Sequence, residues 1–275
     1  MNQFKVFLLM AGMTIFLVFL GSLMGEGMAI TFFIGAVIMN VGMYWFSSRI
    51  VLKMYKAKVV SREDAPQLYD MVDELRQRAG LPMPVVAIAP QQQPNAFATG
   101  RNHKHAVVCV TTGLLQLMDR RELEGVIAHE LAHIQHRHML VSTVAAVMAG
   151  AIALVARWGY FFGGGGENRN PVVGILIMIL APLAAVILQM AISRTNEFQA
   201  DATGASIAGT PDGLASALQR LESAAQRIPM EVNPAGAQLA IVNPLRGGAM
   251  GGFTKMFRTH PPTEDRIAAL RQLPG

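Results

Sequence analysis

The sequence predicts a mainly α-helical membrane protein of the α+β class: transmembrane helices that carry cytoplasmic parts with a small β-sheet. Three observations predict it. Hydrophobic residues make up 52% of the 275 and charged residues only 15%, where a soluble domain carries about 25% charged. The apolar residues gather in four runs, 6–24, 28–48, 139–158 and 171–192. Between and after these runs the sequence turns polar, and helical and strand periodicities replace unbroken hydrophobicity.

Each run has the length of a membrane span or nearly so. Run 6–24 is uncharged, and its roughly 19 residues suffice for a hydrocarbon core of about 30 Å. It is long for the core of a secretion signal and lacks a small-x-small cleavage site, so it reads as a retained helix. Run 139–158 is the shortest in purely apolar residues, with Trp158 at an expected interface. Lys5 precedes the first run, and Arg49, Lys53, Lys56 and Lys58 follow the second. Arg137 precedes the third and Arg194 follows the fourth, while the connection after the first run holds Glu26. Positive charge marks the cytoplasmic side, so both termini are expected there. The chain divides into a transmembrane hairpin (1–56), a cytoplasmic part (57–138), a second hydrophobic hairpin (139–192) and a second cytoplasmic part (193–275).

The net charge of +5 sits at the ends of the apolar runs. That placement suits contacts with the headgroups of a lipid bilayer, and without an arginine-aromatic stripe no nucleic acid partner is expected. One cysteine, Cys109, excludes an internal disulfide framework. It lies in AVVCV and reads as a small core residue of a strand.

In the first cytoplasmic part, Leu68, Met71, Val72, Leu75 and Ala79 recur at helical spacing within 62–80, with Gly80 as a stop. Stretches 84–89, 95–99 and 106–111 are β-prone and separated by turn residues, which suggests three or four strands. Asp119 then starts a helix, with Glu122 placed for a capping box. Thr210-Pro211 opens another, with Leu214, Leu218, Leu221 and Ala225 on one face. Stretch 230–257 is rich in Gly, Pro and Asn and reads as a long loop, either a lid over a substrate or plain disorder.

The helix that starts at Asp119 carries HELAHIQHRHML, residues 129–140. His129 and His133 are one turn apart on one face and can meet a single Zn²⁺, with Glu130 beside them to take a proton from the attacking water. His136 returns to the His129 face two turns on, about 10 Å along the axis, too far to share the ion. His136, Arg137 and His138 therefore read as a cationic collar at the membrane surface. A catalytic zinc needs a third protein ligand. In SRTNEFQAD, residues 193–201, Glu197 and Asp201 are i,i+4 and suit a ligand and an acid that orients a ligand imidazole. An ordinary surface acid pair is the alternative. If runs three and four form an antiparallel hairpin with unbroken helices, His129, His133 and Glu197 emerge at similar height. In THPPTEDR, His260 and Arg266 are candidates for stabilising the oxyanion, against a loop histidine and a helix salt bridge.

With HExxH, then SRTNEFQAD, then THPPTEDR, and PNAFA at 94–98, the whole chain resembles the HtpX-type membrane zinc metalloproteases. These are heat-shock-associated bacterial relatives of the CAAX prenyl endopeptidases. The resemblance implies a zincin-like metalloprotease domain with one Zn²⁺ per chain on His129, His133 and Glu197, and Glu130 as acid and base. It implies Asp201 as the orienting acid, and His260 and Arg266 facing substrate. Asn95, Ala96, Phe97 and Ala98 match an edge strand that pairs with an extended peptide. The implied substrates are membrane proteins or unfolded polypeptides, misfolded or damaged, in the bacterial inner membrane, as part of stress-response quality control. Relatives often carry an acid soon after HExxH; here His136, Arg137 and His138 occupy that neighbourhood. A metal transporter would hold its ligands inside the apolar runs, which are nearly free of ionisable groups. A proteolytically silent scaffold would not need Glu130 and a full ligand set.

Overall fold

Two apolar helices open the chain, α1 (Asn2–Leu23) and α2 (Met28–Met54), joined through Gly27 in a left-handed conformation (φ 84°). The structure is a computed structural model that describes residues 2–23, 27–149, 194–225, 227, 239–241 and 261–273. Val6, Leu9 and Met13 of α1 join Met43 and Val51 of α2 in one apolar cluster. Within it the Asn40 amide donates to the Met10 carbonyl (3.1 Å) and the Thr14 hydroxyl (2.8 Å). Among the described residues, every large exposed hydrophobic except Val59 and Val85 lies on these two helices, Phe7, Ile15, Phe33, Ile38 and Trp45 among them. Such a continuous apolar surface is what a lipid phase covers. Among the described residues, α2 is the one helix long and apolar enough to cross a membrane. It passes the expected end at 48 and runs to Met54, because Val51 and Tyr55 bury beneath the sheet, with the Tyr55 ring 4.4 Å from that of Phe97.

The sheet has four strands in the order β1-β2-β4-β3. β1 (Lys58–Val59) runs antiparallel to β2 (Val85–Ala89), β2 parallel to β4 (Ala106–Thr111), and β3 (Ala96–Gly100) antiparallel to β4. The alternation of side chains along a strand sends Val86, Ala96, Ala98, Val108 and Val110 into one apolar core and Ala87, Phe97, Val107 and Cys109 into the other. Burial on both faces explains why AVVCV is continuously hydrophobic. The sheet thus separates a core made with the helical hairpin from a core made with most of the other helices, and β3 is a terminal strand.

Of those helices, α3 (Pro66–Arg78) buries Leu68, Met71, Val72 and Leu75 as the periodicity predicts. It begins four residues after the expected start, because Ser61 and Asp64 form a side-chain-bonded turn (Ser61 N–H to Asp64 Oδ2, 2.8 Å). After the short α4 (Thr112–Leu117), α5 (Arg120–Gln135) opens with the full capping box between Asp119 and Glu122. α6 (His138–Ala149) packs its Leu140, Val141 and Val144 into the hairpin cluster. α7 (Arg194–Ala208), α8 (Asp212–Ala225) and α9 (Thr263–Leu270) complete the second core. α8 is held on α5 by Glu122, whose carboxylate accepts from Ser216 Oγ and Arg220 Nη1 at 2.6 Å each.

Run 139–158 beyond residue 149, the connection 159–170, run 171–192 and His260 lie outside the described residues, as does stretch 230–257 except for 239–241.

Candidate metal centre

α5 presents His129 and His133 on one face, with their Nε2 atoms 3.1 Å apart. α7 lies against that face. Its backbone at Gly204 comes so close that a Cβ there would sit 2.9 Å from the N and Cα of His129. The approach brings Glu197, two turns earlier on α7, to the histidines: Oε1 is 3.5 Å from His133 Nε2 and Oε2 is 3.9 Å from His129 Nε2. Ligand atoms about 2.0–2.1 Å from a tetrahedral Zn²⁺ are about 3.4 Å from one another. These three separations, the two from Glu197 measured to its different oxygens, bracket that value, and two imidazoles with one carboxylate leave a fourth position open. The donor set and its spacing fit a metal ion.

One turn after Glu197, Asp201 places Oδ1 3.0 Å from His129 Nδ1, the nitrogen that faces away from the ligand triangle. Arg266, at the start of α9 and 1% exposed, grips the same carboxylate through two hydrogen bonds, Nε to Oδ2 (2.8 Å) and Nη2 to Oδ1 (2.6 Å). Its Nη1 donates to the Ile241 carbonyl (3.1 Å) and lies 3.6 Å from Glu197 Oε2. Burial alone would raise the Asp201 carboxyl; the Arg266 guanidinium reverses this and holds it at about 2. Burial also pulls down the His129 imidazole, but the Asp201 carboxylate outweighs it and leaves it raised.

Glu130 is 4% exposed. Burial pushes its carboxyl up to about 7; the neighbouring His129 opposes the shift, the charge of Glu197 adds to it, and the Ala98 backbone N–H of β3 pulls against it. The first residues of the PNAFA stretch are placed differently. Asn95 bonds Thr111 through both its N–H (to Oγ1, 2.9 Å) and its carbonyl (from N–H, 2.9 Å). Its side-chain Oδ1 accepts the Ile241 N–H (3.1 Å). Ala96, Phe97 and Ala98 form the strand itself.

The expected cationic collar is corrected by the structure. α5 stops at Gln135, His136 caps it, and Arg137 turns left-handed (φ 58°) before α6 begins at His138. The histidine helix therefore does not run unbroken into the third apolar run. His138 folds inward onto His133 and is 6% exposed. Burial, with His136 beside it, drops its imidazole to about 4, and burial also lowers His136. A neutral buried ring is no headgroup anchor. The sequence carries no sign of the break, because a left-handed residue is ordinarily glycine or asparagine and here it is arginine.

Paired histidines on one helix, a glutamate from a second and a buried carboxylate beside them form the constellation of a metal-dependent peptidase. The chain belongs to Peptidase family M48, whose profile matches residues 62–273, and it is a metalloprotease. It is 56% identical over 277 residues to a protease HtpX homolog of Gemmatimonas aurantiaca, covering 99% of each chain. A protease HtpX homolog of Salinibacter ruber is 54% identical over 277 residues, covering 100% of this chain and 99% of the relative. The resemblance expected from the motifs therefore holds over the whole length. In fold, the chain is similar to the crystal structure of S. mikatae Ste24p, with a TM-score of 0.51 and 20% identity. That likeness covers 94% of this chain and 62% of the length of the other.

Proposed function

We propose that this chain is a membrane-anchored zinc endopeptidase. It cleaves misfolded or damaged membrane proteins and unfolded polypeptides at the cytoplasmic face of the bacterial inner membrane. The observation that carries the reading is Glu130, buried beside the clustered ligand atoms of His129, His133 and Glu197. These three residues hold one Zn²⁺ per chain. When bound, the ion supplies Lewis acidity to the scissile carbonyl and makes water a better nucleophile near neutral pH.

The remaining steps belong to the protein's own groups. Glu130 takes a proton from the attacking water and passes it to the leaving amine, and the burial that raises its carboxyl favours its protonated form between the two transfers. Asp201 orients His129 through Nδ1, and Arg266 holds Asp201. Arg266 is buried with its guanidinium on Asp201 and the Ile241 carbonyl, so we give it the role of holding Asp201 and, through it, the ligand His129, and keep His260 as the oxyanion and substrate contact. An extended peptide would pair with the outer edge of β3, at Ala96 to Ala98, by strand addition, which requires that this strand, buried at every residue, be uncovered first. The Ala98 N–H reaches toward Glu130, so a peptide on that edge would bring its scissile bond beside the base.

Membrane residence rests on the exposed apolar faces of α1 and α2. The Phe97 ring lies 4.4 Å from that of Tyr55 at a tilt of 42°, so a peptide on the β3 edge would lie near the end of α2, where partly extracted membrane segments would arrive. Lys53 and Arg49 at that end suit the cytoplasmic side.

The test is Glu130→Gln in the full-length protein, in detergent, with an unfolded membrane protein as substrate. The variant should keep one zinc per chain and lose cleavage by about 10²–10⁴-fold. Unchanged cleavage would overturn the mechanism, and loss of the zinc would make Glu130 a structural group.

A further inference from the structure

His138 is a buried imidazole that lies outside HExxH and that the reaction as derived above leaves unused. On an unbroken helix it would sit about 140° round from His133, at 100° per residue, and the two rings could not meet. The left-handed turn at Arg137 ends that geometry and starts a new helix at His138. As a result His138 Nδ1 lies 3.2 Å from His133 Nδ1, with ring centroids 5.3 Å apart and planes inclined at 67°.

We propose that His138 is a positioning residue for the metal ligand His133: its Nδ1 accepts the His133 Nδ1–H and so presents His133 Nε2 to the ion. The inference rests on the metal-centre reading above and deepens it. His133 Nε2 is the nitrogen turned to the other ligands, 3.1 Å from His129 Nε2 and 3.5 Å from Glu197 Oε1. A coordinating nitrogen carries no proton, so the neutral ring holds its hydrogen at Nδ1. That hydrogen requires an acceptor, and His138 Nδ1 is at hydrogen-bond distance. Ligand imidazoles almost always donate their second N–H in this way, which fixes both tautomer and ring orientation.

The two ligand histidines are then oriented by different chemistry. His129 faces a carboxylate, Asp201 Oδ1, at 3.0 Å. His133 faces an imidazole. Glu130, Glu197 and Asp201 are already buried around the centre, so a neutral acceptor orients His133 without adding a fourth buried negative charge. The turn that delivers His138 is also tied to the helix of the third ligand. His136 stacks on His138, with centroids 5.4 Å apart at 22°, and its Nε2 lies 2.9 Å from the Thr203 hydroxyl on α7. The end of α5, the start of α6 and the helix that carries Glu197 are thereby held in one arrangement.

Two variants separate the acceptor from the bulk of the ring. Asparagine Oδ1 stands as many bonds from Cα as histidine Nδ1, so His138→Asn keeps an acceptor in reach. His138→Phe keeps a ring and removes the acceptor. Zinc affinity of the full-length protein in detergent is measured by competition with a chromophoric chelator. The visible spectrum of the cobalt-substituted protein reports the geometry of the ligand set independently of activity. His138→Phe should bind zinc about 10–100-fold more weakly, with an altered cobalt spectrum and a fall in kcat at little change in KM. His138→Asn should bind zinc close to the wild type and restore the spectrum. Wild-type affinity and spectrum in His138→Phe would overturn the inference while leaving the metal centre standing. So would a His138→Asn protein as weak as His138→Phe. A wild-type chain that binds no zinc would instead sink the metal-centre reading, and this inference with it.

Discussion

Gly204→Ala should weaken metal binding although Gly204 is not a ligand. A Cβ at this position falls 2.9 Å from the N and Cα of His129, and carbon contacts settle at about 3.5 Å or more, so α7 must back away by about 0.6 Å. His129 cannot yield alone, because its backbone is locked mid-helix in α5. Glu197 rides on α7 and already forms the longest edge of the ligand triangle, 3.9 Å to His129 Nε2. Metal-ligand bonds tolerate only about 0.2 Å of error, so the displacement disrupts the set. Zinc affinity should fall about tenfold or more, the scale seen when the surroundings of a metal site are disturbed. The cost in stability is smaller. Overpacking of about 1–3 kcal/mol is partly offset by the helix-propensity gain of about 1 kcal/mol for alanine over glycine. Chelator competition reads the affinity, and thermal melts with and without zinc separate the two effects. Gly42→Ala on α2, where a Cβ meets nothing within 4 Å, is the control: it carries the same propensity gain without the clash, so it should leave zinc affinity unchanged and not lower stability. A Gly204→Ala protein with wild-type zinc affinity would refute the claim that this close approach sets the ligand distance.

Two further outcomes follow from buried groups. Arg266→Met leaves the Asp201 carboxylate buried without its guanidinium and should cost about 3–5 kcal/mol in denaturant unfolding of the metal-free protein. Arg266→Lys should recover little, because an ammonium cannot match the two-point grip, while adding Asp201→Leu to Arg266→Met should recover much of the loss; a single-variant loss below about 1 kcal/mol would contradict the pairing. Cys109 is 0% exposed and burial pushes its thiol up, so it stays protonated at mildly alkaline pH. A thiolate-specific reagent should label it only after denaturation, and rapid labelling of the native protein would disprove its place in the sheet core.

The parts that were legible in the sequence are those decided within a turn or two of chain. HExxH places two imidazoles and a carboxylate by helical repeat alone, and the Asp119–Glu122 capping box sets the start of that helix. Alternation and turn residues located β2, β3 and β4 to within a residue at each end. The i,i+4 relation of Glu197 and Asp201 put both acids on one face, and both are buried. The sheet order was not legible, because the parallel pairing of β2 with β4 depends on which strands meet, not on their local pattern. Arg266 reads from the sequence as an oxyanion or substrate contact, or else as a helix salt bridge, and not as a partner of Asp201. Its partnership with Asp201 joins α9 to α7, and nothing in either segment names the other.

His138 marks the boundary most clearly. By itself the sequence determined that half of the metal site lies on one helix, because neighbours one turn apart are fixed by covalent geometry and the 3.6-residue repeat. Only the tertiary structure decided that the helix ends at Gln135, that Arg137 takes a left-handed turn, and that His138 folds back onto His133. Only it decided that α7 comes close enough at Gly204 to deliver Glu197. The physical reason is the same in both cases. Backbone cost and helix propensity are local, but the burial of α6 against the hairpin and of α7 against α5 is gained across the chain, and that gain outweighs a local preference for one straight helix.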